Sequence, residues 1–160
     1  MSEDNFVLYE EEIEKVEAII SKLVKGAEAK CALLVDKDGH LITRQGFTNT
    51  LDTTALAALL AGSFASTREI ARLVGEPEFS VLFHQGKKDH IHISIVGERS
   101  ILVVIFDAKS SLGLVRLRVR KATEQLDQIF EALNRKPEDP AAESPFAEIT
   151  DDDIDNLFND

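Results

Sequence analysis

Apolar side chains recur along the chain with two different periods, and the switches between them mark out eight elements. Between Tyr9 and Lys25 they fall at Ile13, Val16, Ile20, Leu23 and Val24. That i, i+3, i+4 spacing predicts an amphipathic helix with Gly26 as its C-cap. Cys31 to Val35 is a short apolar run, followed by DKDG (Asp36 to Gly39) and by partial alternation over His40 to Gln45. Two strands joined by an Asp- and Gly-rich turn fit this pattern. DKDG also matches part of a calcium loop, but spaced acidic ligands and a distal Glu do not follow, and such a loop needs about six ligands.

A second helix, capped by Asp52 or Thr53, runs to around Val74 and stops at Gly75 and Pro77. The spacing assigns its core stripe to Leu56, Leu60, Ser63, Thr67, Ile70 and Val74, with Leu59 and Ala71 flanking. The opposite stripe is Thr54, Ala58, Ala61, Ala65, Arg68, Glu69 and Arg72. A solvent-facing stripe ordinarily carries long charged side chains along its whole length, whereas the first three turns here are alanine. Three strands follow, Phe79 to His84, His90 to Val96 and Ser100 to Phe106, with turns at Gln85 to Asp89 and Gly97 to Arg99. A third helix starts at Ser110 or Ser111 and aligns Leu112, Val115, Val119, Ala122, Leu126, Ile129, Phe130 and Leu133. The order helix, two strands, helix, three strands, helix predicts an α+β sandwich, a five-stranded antiparallel sheet with helices on its faces.

Composition changes this picture at one end only. The net charge of −11 over 160 residues is unevenly placed: Pro137 to Asp160 holds nine acidic residues and no basic ones. Residues 1–136 therefore read as a near-neutral domain and 137–160 as an acidic tail. PEDPAAESP has linker composition. Thr150 with Asp153 fits a capping box for a short helix carrying Ile154, Leu157 and Phe158 on one face. Nine residues do not hold a helix alone in water, so this segment is expected to order on a partner. The acidic balance argues against nucleic acid and against an anionic membrane surface. No apolar run reaches the roughly 20 residues of a spanning helix, and the acidic start does not fit a signal peptide. One cysteine, Cys31, excludes an internal disulfide framework. The cytosol is the compartment to which these features point.

Candidate chemistry is sparse. His90 and His92 are two apart on a strand and share a face, but a histidine metal site usually needs a third ligand, so a solvent-facing pair is the favoured reading. His40 and His84 read as surface residues. GKK (Gly86 to Lys88) lacks the earlier glycine and the Ser or Thr of a phosphate loop. GxGxxG, GxSxG and HExxH do not occur. Cys31 reads as a small apolar core residue. No catalytic residue, metal site or cofactor is assigned, and the chain is read as a regulator rather than an enzyme.

Three features have the character of binding surfaces. The alanine stripe lets another backbone approach closely, either a second copy or a different partner. The strand Phe79 to His84 would be an aggregation hazard as an open edge. Pairing Phe79, Val81 and Phe83 with a second copy would continue the sheet; coverage by the chain's own helix and loops is the alternative. In the tail, Phe146, Ile149, Ile154, Leu157 and Phe158 are more apolar than a solubilising tether requires.

VLYEEE (Val7 to Glu12), LVDKDGHLI (Leu34 to Ile42), LDTTALAALLAG (Leu51 to Gly62), LVVIFDAKSSLGLVRLRVRKA (Leu102 to Ala122) and SPFAEITDDDIDNLF (Ser144 to Phe158) together resemble the roadblock family. Its members include dynein light chains and small regulators of GTPases, and the resemblance extends over nearly the whole chain. It implies a roadblock-like sheet and a homodimer that activates a Ras-like small GTPase of the MglA type in bacterial cell polarity and motility. Two chains would engage one GTPase, repositioning its own catalytic groups instead of supplying an arginine finger. The family's contact surface, the second helix, maps to Ala61, Ala65 and Glu69. Ala58, Arg68 and Arg72 complete the candidate surface, and Glu69 stands where a small residue is expected. The five apolar tail residues become a second contact that tunes affinity or nucleotide exchange. A scaffold subunit of a larger complex, without effect on hydrolysis, is the alternative.

Overall fold

The structure is a computed structural model that describes residues 10–135. The tail anchors Phe146, Ile149, Ile154, Leu157 and Phe158 lie outside the described residues, as does the expected tail helix. The chain divides into two units, 1–129 and 130–160, and every element but the end of the last helix belongs to the first. The elements are α1 (Glu10–Gly26), β1 (Cys31–Asp36), β2 (Leu41–Gly46), α2 (Thr53–Val74), β3 (Val81–Gln85), β4 (His90–Val96), β5 (Ser100–Phe106) and α3 (Leu112–Arg135). The expected order of helices and strands is the one observed.

All pairings are antiparallel, and the sheet runs β2-β1-β5-β4-β3. The register sorts side chains between the two faces. Cys31, Leu33, Val35, Ile93, Ile101, Val103 and Ile105 pack with Ala57, Leu60, Ala61 and Phe64 of α2. On the other face Ala32, Leu34, Leu102 and Val104 are fully buried. That leaves α1 and α3 to cover this face, through Val16, Ile20 and Leu23 and through Val115, Val119, Ala122 and Leu126. Burying one aliphatic side chain contributes about 1.5–3 kcal/mol, so these two layers supply the bulk of the folding free energy. Cys31 sits in the first core, and burial pushes its thiol up to about 11, which keeps it unreactive.

Two sequence expectations are corrected. The buried stripe of α2 is Thr53, Ala57, Leu60, Ala61, Phe64 and Ala71, so Ala61, assigned to the outward stripe, is in the core, whereas Leu59, Ile70 and Val74, assigned to the core or its flank, are 70%, 52% and 63% exposed. The helix is apolar on more than one side, so the spacing fits two stripes, and Phe64 is the residue that anchors the real one. His92 is also not solvent-facing. It is buried at 2% exposure, because β4 lies inside the sheet between β3 and β5 and both of its faces are covered. Neither of its ring nitrogens finds a hydrogen-bond partner among the described residues. Burial, helped by the charge of Arg116, pulls its pKa below the ordinary histidine value.

The two edges of the sheet differ. β2 exposes Arg44 and Gly46, its pairing with β1 shifts register between Leu34 and Val35, and Thr43 and Gln45 donate to Glu17 of α1. These are devices that blunt an edge. Among the described residues β3 carries none of them.

Candidate partner-binding surface

The helix that presents the surface is fixed at both ends. The Asp52 carboxylate accepts from the Ala55 N–H at 3.0 Å, an N-cap that satisfies one of the orphan donors of the first turn. At the other end Gly75 takes a left-handed conformation (φ 80°), and the Glu76 N–H donates to the Ala71 carbonyl at 2.9 Å. Arg44 of β2 donates to the Thr53 hydroxyl. The turn between β1 and β2 props the helix from below. Asp36 Oδ1 accepts from the Asp38 and His40 N–H groups at 2.9 Å each, and Gly39 adopts φ 92°. A Cβ at Gly39 would stand only 3.1 Å from Ala58 Cα and 3.7 Å from the Ala61 Cβ. Two of the alanines therefore serve the chain's own packing: small residues here let the DKDG turn close on α2.

With the helix so placed, its predicted residues separate. Ala61 is buried at 7% exposure, in the core beneath the turn. Ala58, Ala65, Arg68, Glu69 and Arg72 are exposed or partly so. Arg72 donates from Nε to Glu69 Oε1 at 2.9 Å and also pairs with it through its terminal nitrogen. This bond raises the already high pKa of the guanidinium. Ala58, Ala65 and Arg72 recur every seven residues and form one flank of the exposed face.

The spacing does not single out the other flank. Leu59 and Leu73 are 70% and 72% exposed and lie in line with Ile70, with the small exposed residues Gly62 and Ser66 between them and Ala55 one turn before. A helical glycine costs about 1 kcal/mol relative to alanine. Among the described residues, and apart from its own helix backbone and chain neighbours, no heavy atom lies within 4 Å of where a Gly62 Cβ would stand, so no packing there requires it. The sequence signal for this flank is the near absence of long charged side chains around the first four turns: a helix that is apolar on both sides has a second surface to cover.

Beyond the helix, β3 is an edge strand, and it begins at Val81, so Phe79 precedes it. Phe79 and Val81 are 37% and 42% exposed. Phe83, on the same side of the strand, is half-buried, stacked on Phe106 at 6.1 Å and tilted against His90. It is a core residue with a free margin, whereas the first two are open. Ile95 donates to the Ser80 carbonyl at 3.1 Å, which carries the pairing one residue past the strand.

Metal and acid–base chemistry find little here. Asp36, Asp38 and His40 bring ligand atoms within 4.8 Å of one another, but they are largely exposed, and Asp36 is engaged by the turn and by His40 Nδ1 at 3.2 Å. His90 is half-buried beside Phe106, its Nδ1 accepting from the Gly86 N–H, and so does not act with His92 as an open pair. Among the described residues no helix is long and apolar enough to cross a membrane.

Comparison with known proteins gives this surface a context. The Roadblock/LC7 domain matches residues 15–106. Among solved structures, Myxococcus xanthus MglB is 52% identical, the match covering 80% of this chain and 96% of that one at a TM-score of 0.76. A second structure, described as MglB with tetrameric arrangement, is 30% identical over 81% of this chain and 98% of that one, at 0.75. The gliding protein MglB from Thermus thermophilus is 31% identical, with coverage of 81% and 98% and a TM-score of 0.74.

Proposed function

The chain belongs to the Roadblock/LC7 domain family, and from that membership we propose that it is a homodimeric, GTPase-activating regulator of a Ras-like small GTPase of the MglA type, acting in the cytoplasm in cell polarity and motility. One observation carries the reading: α2 is anchored to its own core along one side and leaves an apolar flank and an alanine flank uncovered on the other. Leu59, Ile70 and Leu73, with Gly62 between them, suit close contact with the same helix of a second copy, and Phe79 and Val81 at the open edge of β3 continue that contact. Ala58, Ala65, Arg68, Glu69 and Arg72 then line the flank left for the GTPase. Ala61 contributes from beneath, by holding the helix on the DKDG turn.

The chemistry is that of positioning. An active GTPase needs its water-orienting residue and its switch segments held in place, and the small side chains of Ala58 and Ala65 can press against those segments, while the charged residues of the flank are confined to the C-terminal end of the helix. The Glu69–Arg72 pair supports this division for Arg72, which is engaged within its own helix, and in this reading neither Arg68 nor Arg72 is assigned the role of a finger. The tail, through Phe146, Ile149, Ile154, Leu157 and Phe158, adds a second contact on the GTPase that tunes affinity or exchange. The regulator itself carries no active site and needs no cofactor.

GTP turnover by the partner GTPase, measured with and without this protein, tests the reading. Ala65→Arg is expected to abolish stimulation while leaving the dimer intact; full stimulation by that variant would sink the assignment. Size exclusion with the GTPase loaded with GDP or with a GTP analogue should show a GTP-selective complex of two chains to one. A GTP-selective complex without any change in turnover would favour a scaffold subunit instead.

A further inference from the structure

The two halves of α2 are held very differently. Five of its six buried residues, Thr53, Ala57, Leu60, Ala61 and Phe64, lie in the N-terminal half, and only Ala71 follows. The half that carries Arg68, Glu69 and Arg72 therefore has little beneath it, whereas Ala58 belongs to the half fixed on the sheet. The immediate neighbour of Ala58 is the DKDG turn. A Cβ at Gly39 would stand 3.1 Å from Ala58 Cα and 3.7 Å from the Cβ atoms of Ala58 and Ala61. This is an approach of backbone to backbone. No long side chain stands between to absorb a shift, so a displacement of the turn reaches Ala58 directly.

One residue closes that turn. Asp36, at the end of β1, donates its N–H to the His40 carbonyl at 2.9 Å, and its own carbonyl accepts from the Gly39 N–H at 3.0 Å. Its Oδ1 accepts from the Asp38 and His40 N–H groups, and its Oδ2 lies 3.2 Å from His40 Nδ1. All of its polar groups are taken up by its own chain, and the side chain is half-buried. The next residue, Lys37, donates its N–H to the Arg99 carbonyl at 2.8 Å, which ties the turn to the connection between β4 and β5. Strand pairing does not call for so much. β1 and β2 are already in register from Cys31 to Val35. What Asp36 adds is a fixed distance between the turn and α2.

A fixed distance has a use in the function proposed above, on which this inference rests. A regulator that acts by positioning must keep its own surface in place under load, because a misplacement of about 1 Å at a reacting group costs up to about a hundredfold in rate. Affinity draws instead on the exposed side chains, which the turn leaves as they are. We propose that Asp36 is a positioning residue for GTPase stimulation: by closing the DKDG turn on α2 it holds Ala58, with Ala61 beneath, where the helix orders the switch segments of the GTPase. Asp36 itself touches neither the GTPase nor its nucleotide.

The test compares the full chain with Asp36→Ala and Asp36→Asn. Asparagine keeps an Oδ1 that accepts both N–H groups and drops the charge, whereas alanine removes the acceptor. Amide hydrogen exchange of each protein alone reads the brace. Protection at Asp38, His40, Ala58 and Ala61 is expected to fall in Asp36→Ala and to survive in Asp36→Asn, with helix content retained in both. GTP turnover by the partner GTPase, titrated with each protein, reads the consequence. Maximal stimulation is expected to fall by about tenfold in Asp36→Ala, with the half-saturating concentration within about twofold and most of the loss recovered in Asp36→Asn. If Asp36→Ala loses helix content, Asp36→Ser, whose hydroxyl closes the turn more weakly, takes its place under the same expectations. Unchanged exchange, or unchanged maximal stimulation, would overturn the proposal and leave the proposed function standing. An equal loss in Asp36→Asn would overturn it too, since the charge would then be a direct contact. Absence of stimulation by the unaltered chain would overturn both.

Discussion

Leu59 and Leu73 offer the sharpest separation between folding and assembly. Fully burying a leucine contributes about 1.5–3 kcal/mol. With 70% and 72% of their surfaces still open, each retains about two thirds of that, about 1–2 kcal/mol, to be gained from outside the chain. In a two-fold pair the same patch is used twice, so four leucines contribute about 4–8 kcal/mol to association. Trimming both to alanine removes most of this, about 3–5 kcal/mol, or two to four decades in the dimer dissociation constant. The folded protomer should be unaffected, because neither residue packs in its core. Sedimentation equilibrium of Leu59→Ala/Leu73→Ala should show monomer at concentrations where the unaltered chain is dimeric, with helix content retained. Phe64→Ala, at 4% exposure on the opposite side of the same helix, should instead lose about 3–5 kcal/mol of unfolding free energy. An unchanged dissociation constant in the double variant would refute the assignment of this flank to self-association.

Gly39→Ala must place a Cβ at φ 92° and 3.1 Å from the Ala58 backbone, and should lower stability by about 1–3 kcal/mol in a urea titration; an unchanged midpoint would mean that the turn does not bear on α2. His92 has a folded-state pKa below its unfolded value, so it lowers stability on the acid side: above about pH 6.5 it is neutral in both states, and below that the unfolded chain takes up the proton first. Unfolding free energy should fall as pH drops below about 6.5, by up to about 1.4 kcal/mol per unit from this group, and His92→Leu should flatten that slope. Deleting 137–160 should weaken or retune complex formation with the GTPase, read by size exclusion, while leaving the circular dichroism of the folded unit unchanged.

The element order and the antiparallel sheet were legible because each strand and helix has its own hydrophobic period and a Gly, Pro or Asp to end it. Asp52 and Gly75 cap α2 as their residue types suggest, and Cys31 lies in a core strand as its apolar neighbours imply. The face of α2 was only half legible. Periodicity ranks directions around a helix by contrast, and a helix with alanine on one side and leucine on the other offers little contrast, so the spacing points Ile70 and Val74 inward and Ala61 outward. What distinguishes the two sides is tertiary: Phe64 fills the space over β1 and β5, and the DKDG turn covers Ala61. His92 escapes for a related reason. Strand order is not written in local sequence, and only the placement of β4 between β3 and β5 shows that both of its faces are closed.

The unequal edges of the sheet carry a consequence for how far assembly can go. A ribbon with two adhesive margins adds copies without limit and becomes a fibre. Here one margin, β2, is bulged, charged and tied to α1, and the other, at Phe79 and Val81, is open. Joining two open margins consumes both and leaves only blunt ones. In the proposed dimer, growth along the sheet would therefore stop at two copies, set by strand order and not by concentration.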